Sequence, residues 1–128
     1  MHTLRRLIAI SAATTGLLLA VGLAPATAAG PQPTRAYCLE QWNAIGCFQS
    51  DGDHFRVHDQ KADGMRPEIH WETDYGREGI CYFTGRADWT DCNDNFRERR
   101  EVIFRLAQRD VSSGDIVYAT RWVSAPTG

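Results

Sequence analysis

In four stretches between His54 and Ser124 the apolar residues recur at every second position, and this period constrains the fold more than any other feature of the chain. "HFRVHD" puts Phe55 and Val57 on one side and His54, Arg56 and His58 on the other. "PEIHWETDY" sets Ile69, Trp71 and Thr73 against Glu68, His70, Glu72 and Asp74. "EVIFRLAQR" points Val102, Phe104 and Leu106 inward, and "DIVYATRWVS" does the same with Ile116, Tyr118, Thr120 and Trp122. "GICYFTG" and "DWTDC" are short aromatic-rich runs around Gly85-Arg86-Ala87, and clusters such as "SSGD" supply turns. "NFRERREVIF" has a helical rival, but Val, Ile and Phe in a row favour strand. "CLEQWNAIGCF" stays open between a helical turn through Leu39, Trp42 and Ile45 and a strand starting at Gly46. The pattern predicts an all-β domain, a compact antiparallel β-sandwich or jelly-roll-like barrel of six to seven strands.

The first segment does not share this pattern. Arg5 and Arg6 precede an apolar run from about Leu7 to Leu23, and Ala26-Thr27-Ala28 supplies small residues for cleavage. This reads as a secretory signal peptide over residues 1–28, with Ser11, Thr14, Thr15 and Gly16 breaking the run against a membrane anchor. A Pro-rich arm over 29–36 follows, then a single domain over 37–125. Cleavage after Ala28 leaves 100 of the 128 residues, enough for one domain. Arg5 and Arg6 leave with the leader, so 12 basic residues face 16 acidic ones. That balance argues against nucleic acid or an anionic membrane as partner.

Four cysteines remain, Cys38, Cys47, Cys81 and Cys92, and an even count in a small exported chain reads as two disulfides. Of three pairings, Cys38–Cys47 and Cys81–Cys92 close the shortest loops and lose least entropy. The tight Cys-x-x-Cys spacing of a zinc site is absent.

The stretch from Val57 to Glu72 holds two histidines among acids, and one hairpin accounts for them. Pairing Val57 with Ile69 and Phe55 with Trp71 sets His58 against Glu68, Arg56 against His70 and His54 against Glu72. Such cross-strand pairs contribute roughly 0.2–1 kcal/mol each without any ligand. A zinc site from His54, His70 and Glu72 is the functional rival and is set aside. Asp59 and Asp63 fall in the long loop "DQKADGMRP", a candidate recognition loop. Asp51, Asp53, Asp74, Glu78, Asp91 and Asp94 gather at the opposite end. Arg77, Arg97, Arg99 and Arg100 lie there too, so ion pairing is favoured over calcium and no cofactor is expected.

No Gly-x-Ser-x-Gly elbow is present, and carboxylate pairs such as Glu72 with Asp74 or Asp91 with Asp94 carry no mark of burial. Catalysis is therefore ranked below binding. Trp71 and Trp122 are assigned to the core; Trp89, after the Gly-Arg-Ala-Asp turn, is the aromatic expected to be exposed for stacking on sugars. Arg86 near the tip of "CYFTGRADWTDC" offers a disulfide-held loop to a trypsin-like pocket.

"GCFQSDGDHFRVHDQKADG", "REGICYFTG" with "DWTDCN", and "VIFRLAQRD" resemble a group of small exported actinomycete (Streptomyces-like) proteins with no assigned activity. The resemblance covers Gly46 to about Ser124 and implies a signal peptide, a β-rich mature region and no catalytic residues. The Cys-Pro-x-x-Tyr-Asp-Pro region of the subtilisin-inhibitor family is missing. The sequence reading is thus a secreted, monomeric binding module for an extracellular protein or polysaccharide. Arg86, Trp89, Asp59 and Asp63 are its candidate contacts. A serine-protease inhibitor acting through Arg86, a carbohydrate-binding module and a small hydrolase are the alternatives.

Overall fold

The computed structural model describes residues 36–128; the segment 1–28 read as a signal peptide, and the arm up to residue 35, lie outside the described residues. Nine strands and no helix are found among them. They are β1 (Ala36–Gln41), β2 (Ala44–Gln49), β3 (His54–Asp59), β4 (Met65–Thr73), β5 (Glu78–Tyr82), β6 (Trp89–Asn93), β7 (Glu101–Asp110), β8 (Ile116–Ala119) and β9 (Val123–Pro126). Every pairing is antiparallel. The first sheet runs β1-β2-β3-β6; the second runs β5-β4-β7-β8, with β9 also on β7. The domain is a β-sandwich with two disulfides, Cys38–Cys47 and Cys81–Cys92.

The inward residues of both sheets meet in an aromatic core. Phe48, Phe55, Val57, Ile69, Trp71, Val102, Phe104 and Leu106 are all buried. Phe55 sits at its centre, with ring centroids 4.8 Å from Phe48, 5.6 Å from Phe104 and 6.1 Å from Trp71. Phe96, from the loop before β7, closes one end against Trp71 at 4.9 Å. Two glycines make this packing possible. A Cβ on Gly46 would stand 2.9 Å from Ile69 Cγ1, and one on Gly79 would stand 2.4 Å from Trp71 Cζ2. Gly79→Ala must therefore displace a buried indole. We expect a loss of about 3 kcal/mol, the upper part of the range for overpacking, read as a urea-midpoint shift. A loss below about 0.5 kcal/mol would show that the indole has room to move.

Two expectations from periodicity are overturned, and one open segment is resolved. β3 and β4 do not form a hairpin: β3 pairs with β2 and β6, while β4 pairs with β5 and β7. The loop "DQKADG" crosses between sheets, so Phe55 and Trp71 meet across the core with nearly parallel rings. Alternation fixes which face of a strand is apolar but not which strand lies beside it. The ambiguous "CLEQWNAIGCF" is a hairpin whose two turn residues, Trp42 and Asn43, have φ of 46° and 64°. Asn tolerates that region; Trp does so at a cost. The Trp42 ring stacks on Tyr118 at 4.6 Å, and buried Gln108 donates to the carbonyls of Gln41 and Trp42.

The run "DIVYATRWVS" is two strands rather than one. Thr120 takes a place in the ladder beside Leu106: Thr120 N–H donates to the Leu106 carbonyl and Leu106 N–H donates to Thr120 Oγ1. The chain then breaks before β9, and the parity resets. Val123 and Ala125 turn toward the core while Trp122 stays 40% exposed. The turn clusters themselves fall where composition put them, and the acidic loops pair with arginines: Arg100 with Asp74 at 3.1 Å, and Arg77 with the carbonyls of Asp94 and Asn95.

Candidate functional site

The outer face of β5-β4-β7 can be laid out row by row from the register. Arg66 lies opposite Arg109; Tyr82, Glu68 and Ala107 form the next row; then come Ile80, His70 and Arg105; then Glu78, Glu72 and Ile103. Successive rows are about 7 Å apart, two residues along a strand. A sheet face open to water should carry solvated side chains, yet Glu68 is only 1% exposed. It is roofed by its neighbours. Arg109 grips the carboxylate through Nε, at 3.2 and 3.1 Å, and Nη2, at 2.6 Å. Arg66 Nη2 donates to it at 3.3 Å, and His70 Nε2 lies 2.6 Å away. Ala107, directly across from Glu68, is small enough for the Arg109 side chain to fold over.

Burial by itself raises the Glu68 carboxyl. The hydrogen bonds from Arg109 and His70, with the charge of Arg109, outweigh burial and hold it below its ordinary value. The imidazole tautomer follows from its partners. Arg105 Nη2 stands 3.2 Å from His70 Nδ1, and a guanidinium only donates. Nδ1 therefore accepts, and Nε2–H donates to Glu68.

Aromatic rings flank this polar row. The Arg66 guanidinium lies 4.7 Å over the Tyr82 ring, and that of Arg105 lies 4.9 Å over Trp122. Each has a buried Nε with no hydrogen-bond partner among the described residues. Beside them opens a concavity of about 460 Å³ lined by His70, Glu72, Glu78, Gly79, Ile80, Arg105 and Trp122. Ile80 is 53% exposed and Tyr82 48%, so the apolar rim is in solvent. Glu72 and Glu78 stand directly opposite one another, both exposed, with no ion pair or hydrogen bond to a described residue. The arrangement offers hydrogen-bond donors, a cation, carboxylate acceptors and stacking surface to one ligand. It holds no serine, threonine or free thiol to act as a nucleophile.

The residues singled out by sequence lie elsewhere. Asp59 Oδ1 accepts the Lys61 N–H and Asp63 Oδ1 accepts the Met65 N–H, each at 3.0 Å, so both organise their own loop. Arg86 is exposed beside Gly85, which has φ of 74°. Its loop is pinned by the Cys81–Cys92 bridge, by Phe83 N–H to the Pro67 carbonyl and by Thr84 N–H to Thr90 Oγ1. Trp89 is half-buried, on the outer face of the other sheet, with His58 stacked at 5.0 Å and Arg56 at 5.2 Å. Those two side chains cover the ring that was expected to be free, and Trp122, assigned to the core, is exposed instead.

The histidines are divided between the two outer faces. His54 Nδ1 contacts Asp91 at 2.5 Å on the β3-β6 face, far from His70 and Glu72. Among the described residues no three His, Cys, Asp or Glu side chains converge on a metal position. One member of each candidate acid–base pair is engaged by another side chain: Asp74 binds Arg100, and Asp91 binds His54 and Arg56. Asp94 is pushed up by burial, which Arg77 opposes and nearby Asp53 reinforces.

The alternation sets Glu68 against His58 and gives no role to Arg66, Arg105 or Arg109. Their one legible sign was parity: all share the outward positions with His70, on strands with strongly apolar inward faces. No protein-family model, no curated protein and no solved structure matches this chain.

Proposed function

We propose that the mature chain is an exported, non-enzymatic binding domain that takes its ligand on the outer face of β5-β4-β7. The leader with its small-residue cleavage site supports export, as do two disulfides in a domain of this size. The resemblance to exported actinomycete proteins points the same way. One observation carries the binding reading. Exposed Ile80, Tyr82 and Trp122 rim a polar floor that is already hydrogen-bonded in one arrangement. Exposed apolar side chains over a fixed polar floor lower the ordering cost of a ligand.

The test uses the full mature chain, immobilised and challenged with a washed bacterial extracellular-polymer and cell-wall fraction. Retention of that material should fall at least fivefold in Trp122→Ala. Equal retention by both proteins would remove this face from the reading. Expression of the whole chain in an exporting bacterium should yield medium-borne protein beginning at Ala29.

The second reading is a serine-protease inhibitor, favoured by the exposed Arg86 in a loop held by a disulfide and two hydrogen bonds. It requires stoichiometric titration of trypsin by the wild-type chain and none by Arg86→Ala.

A further inference from the structure

We infer that the ligand of this face is an acidic polysaccharide, with a sugar carboxylate seated against Arg105. The inference rests on the binding reading above and names its ligand. Charge places the anion. Glu68 occupies Arg109 and one arm of Arg66. Arg105 has no carboxylate partner among the described residues: its Nη2 donates to His70, its plane lies on Trp122, and its Nε is buried without an acceptor. A half-buried guanidinium without a counter-charge, at the wall of an open concavity, is a seat for an anion. Its rigid hold between His70 and Trp122 means that little is ordered on binding.

The carboxylates in the next row select among anionic polymers. Glu72 and Glu78 lie about 7 Å from the His70 row and have no ion pair among the described residues. A nucleic acid, an anionic bilayer or an acid-rich peptide would press closely spaced negative charges onto them. A uronic-acid chain carries its carboxylates on rings rich in hydroxyls. Those hydroxyls donate to Glu72 and Glu78, while the C–H faces of the rings pack on Trp122 and Ile80. One ligand thus meets the cation, the two acceptors and the apolar rim.

The experiment titrates the mature chain, by tryptophan fluorescence, with polygalacturonate and alginate oligomers and with the same oligomers methyl-esterified. Polyglutamate and anionic phosphatidylglycerol vesicles form the further arms. At least one uronate should bind, at least tenfold more tightly than its ester, and Arg105→Gln should remove that advantage. The acid-against-ester comparison uses the unaltered protein, so it stands even where Arg105→Gln folds poorly. Equal binding of acid and ester overturns the carboxylate seat and leaves the binding reading intact. Binding of polyglutamate or vesicles, without either uronate, overturns the choice of occupant and leaves the face. Failure of both uronates overturns the inference, and if Trp122→Ala also retains polymer like wild type, the binding reading falls with it.

Discussion

Glu68→Gln lowers folding stability at pH 7 by about 3 kcal/mol, the lower end of the range for breaking a buried ion pair. The carboxylate is fully enclosed, but Arg66 and Arg109 reach solvent and recover part of their hydration when it is lost. The residual amide still meets two guanidiniums that have nothing to accept from its NH₂ group. The difference depends on pH with a definite sign. The folded carboxyl titrates below the unfolded value of 4.5. Its contribution is complete above that value and drains away as pH falls through the folded one. Urea melts at pH 7, 5, 4 and 3 should show the gap between wild type and Glu68→Gln closing below about pH 4.5. Asp94 acts in the opposite sense, since burial raises it and protonation relieves the folded state, but it is present in both proteins and cancels in the difference. A gap that stays constant with pH would mean that Glu68 acts by shape alone.

Removing the Cys81–Cys92 bridge, as Cys81→Ala with Cys92→Ala, costs about 3 kcal/mol and lowers Tm by roughly 10–20 °C. Loop entropy alone predicts similar losses for the two bridges, whose sequence separations are 11 and 9. Placement separates them. Cys38 and Cys47 join strands that are already hydrogen-bonded neighbours, on the outward side, with Cys38 exposed. Cys81 is 1% exposed, and its bridge from β5 to β6 ties one sheet to the other. Its removal adds a core cavity to the lost cross-link. The Cys38→Ala, Cys47→Ala pair should therefore cost about half as much. Mild dithiol treatment followed by alkylation should label Cys38 and Cys47 first. Equal melting of the two double variants would show that neither bridge carries more than loop entropy.

The sequence reading and the structure agree where the physics is local. Alternation named Phe55, Val57, Ile69, Trp71, Val102, Phe104 and Leu106 as inward, and all are buried. Loop-closure entropy selected both disulfides. The reading fails where a distant partner decides. Trp122 changed face because two residues, Arg121 and Trp122, stand between Thr120 beside Leu106 and Val123 opposite Phe104, an extra residue with no mark in the alternation. Trp89 lost its exposure to His58 and Arg56, which reach it only because β3 and β6 are neighbours.

By itself the sequence determined the all-β class and the inward faces of β3, β4 and β7, and it favoured the two bridges over the other pairings. Each depends on residues close along the chain or on side-chain period. Only the tertiary structure decided which strands share a sheet. That choice brings Arg109, 41 residues away in sequence, over Glu68. A period of two says that Glu68 points outward; it takes β7 alongside β4 to bury an outward carboxylate under arginines and leave Arg105 facing an open concavity.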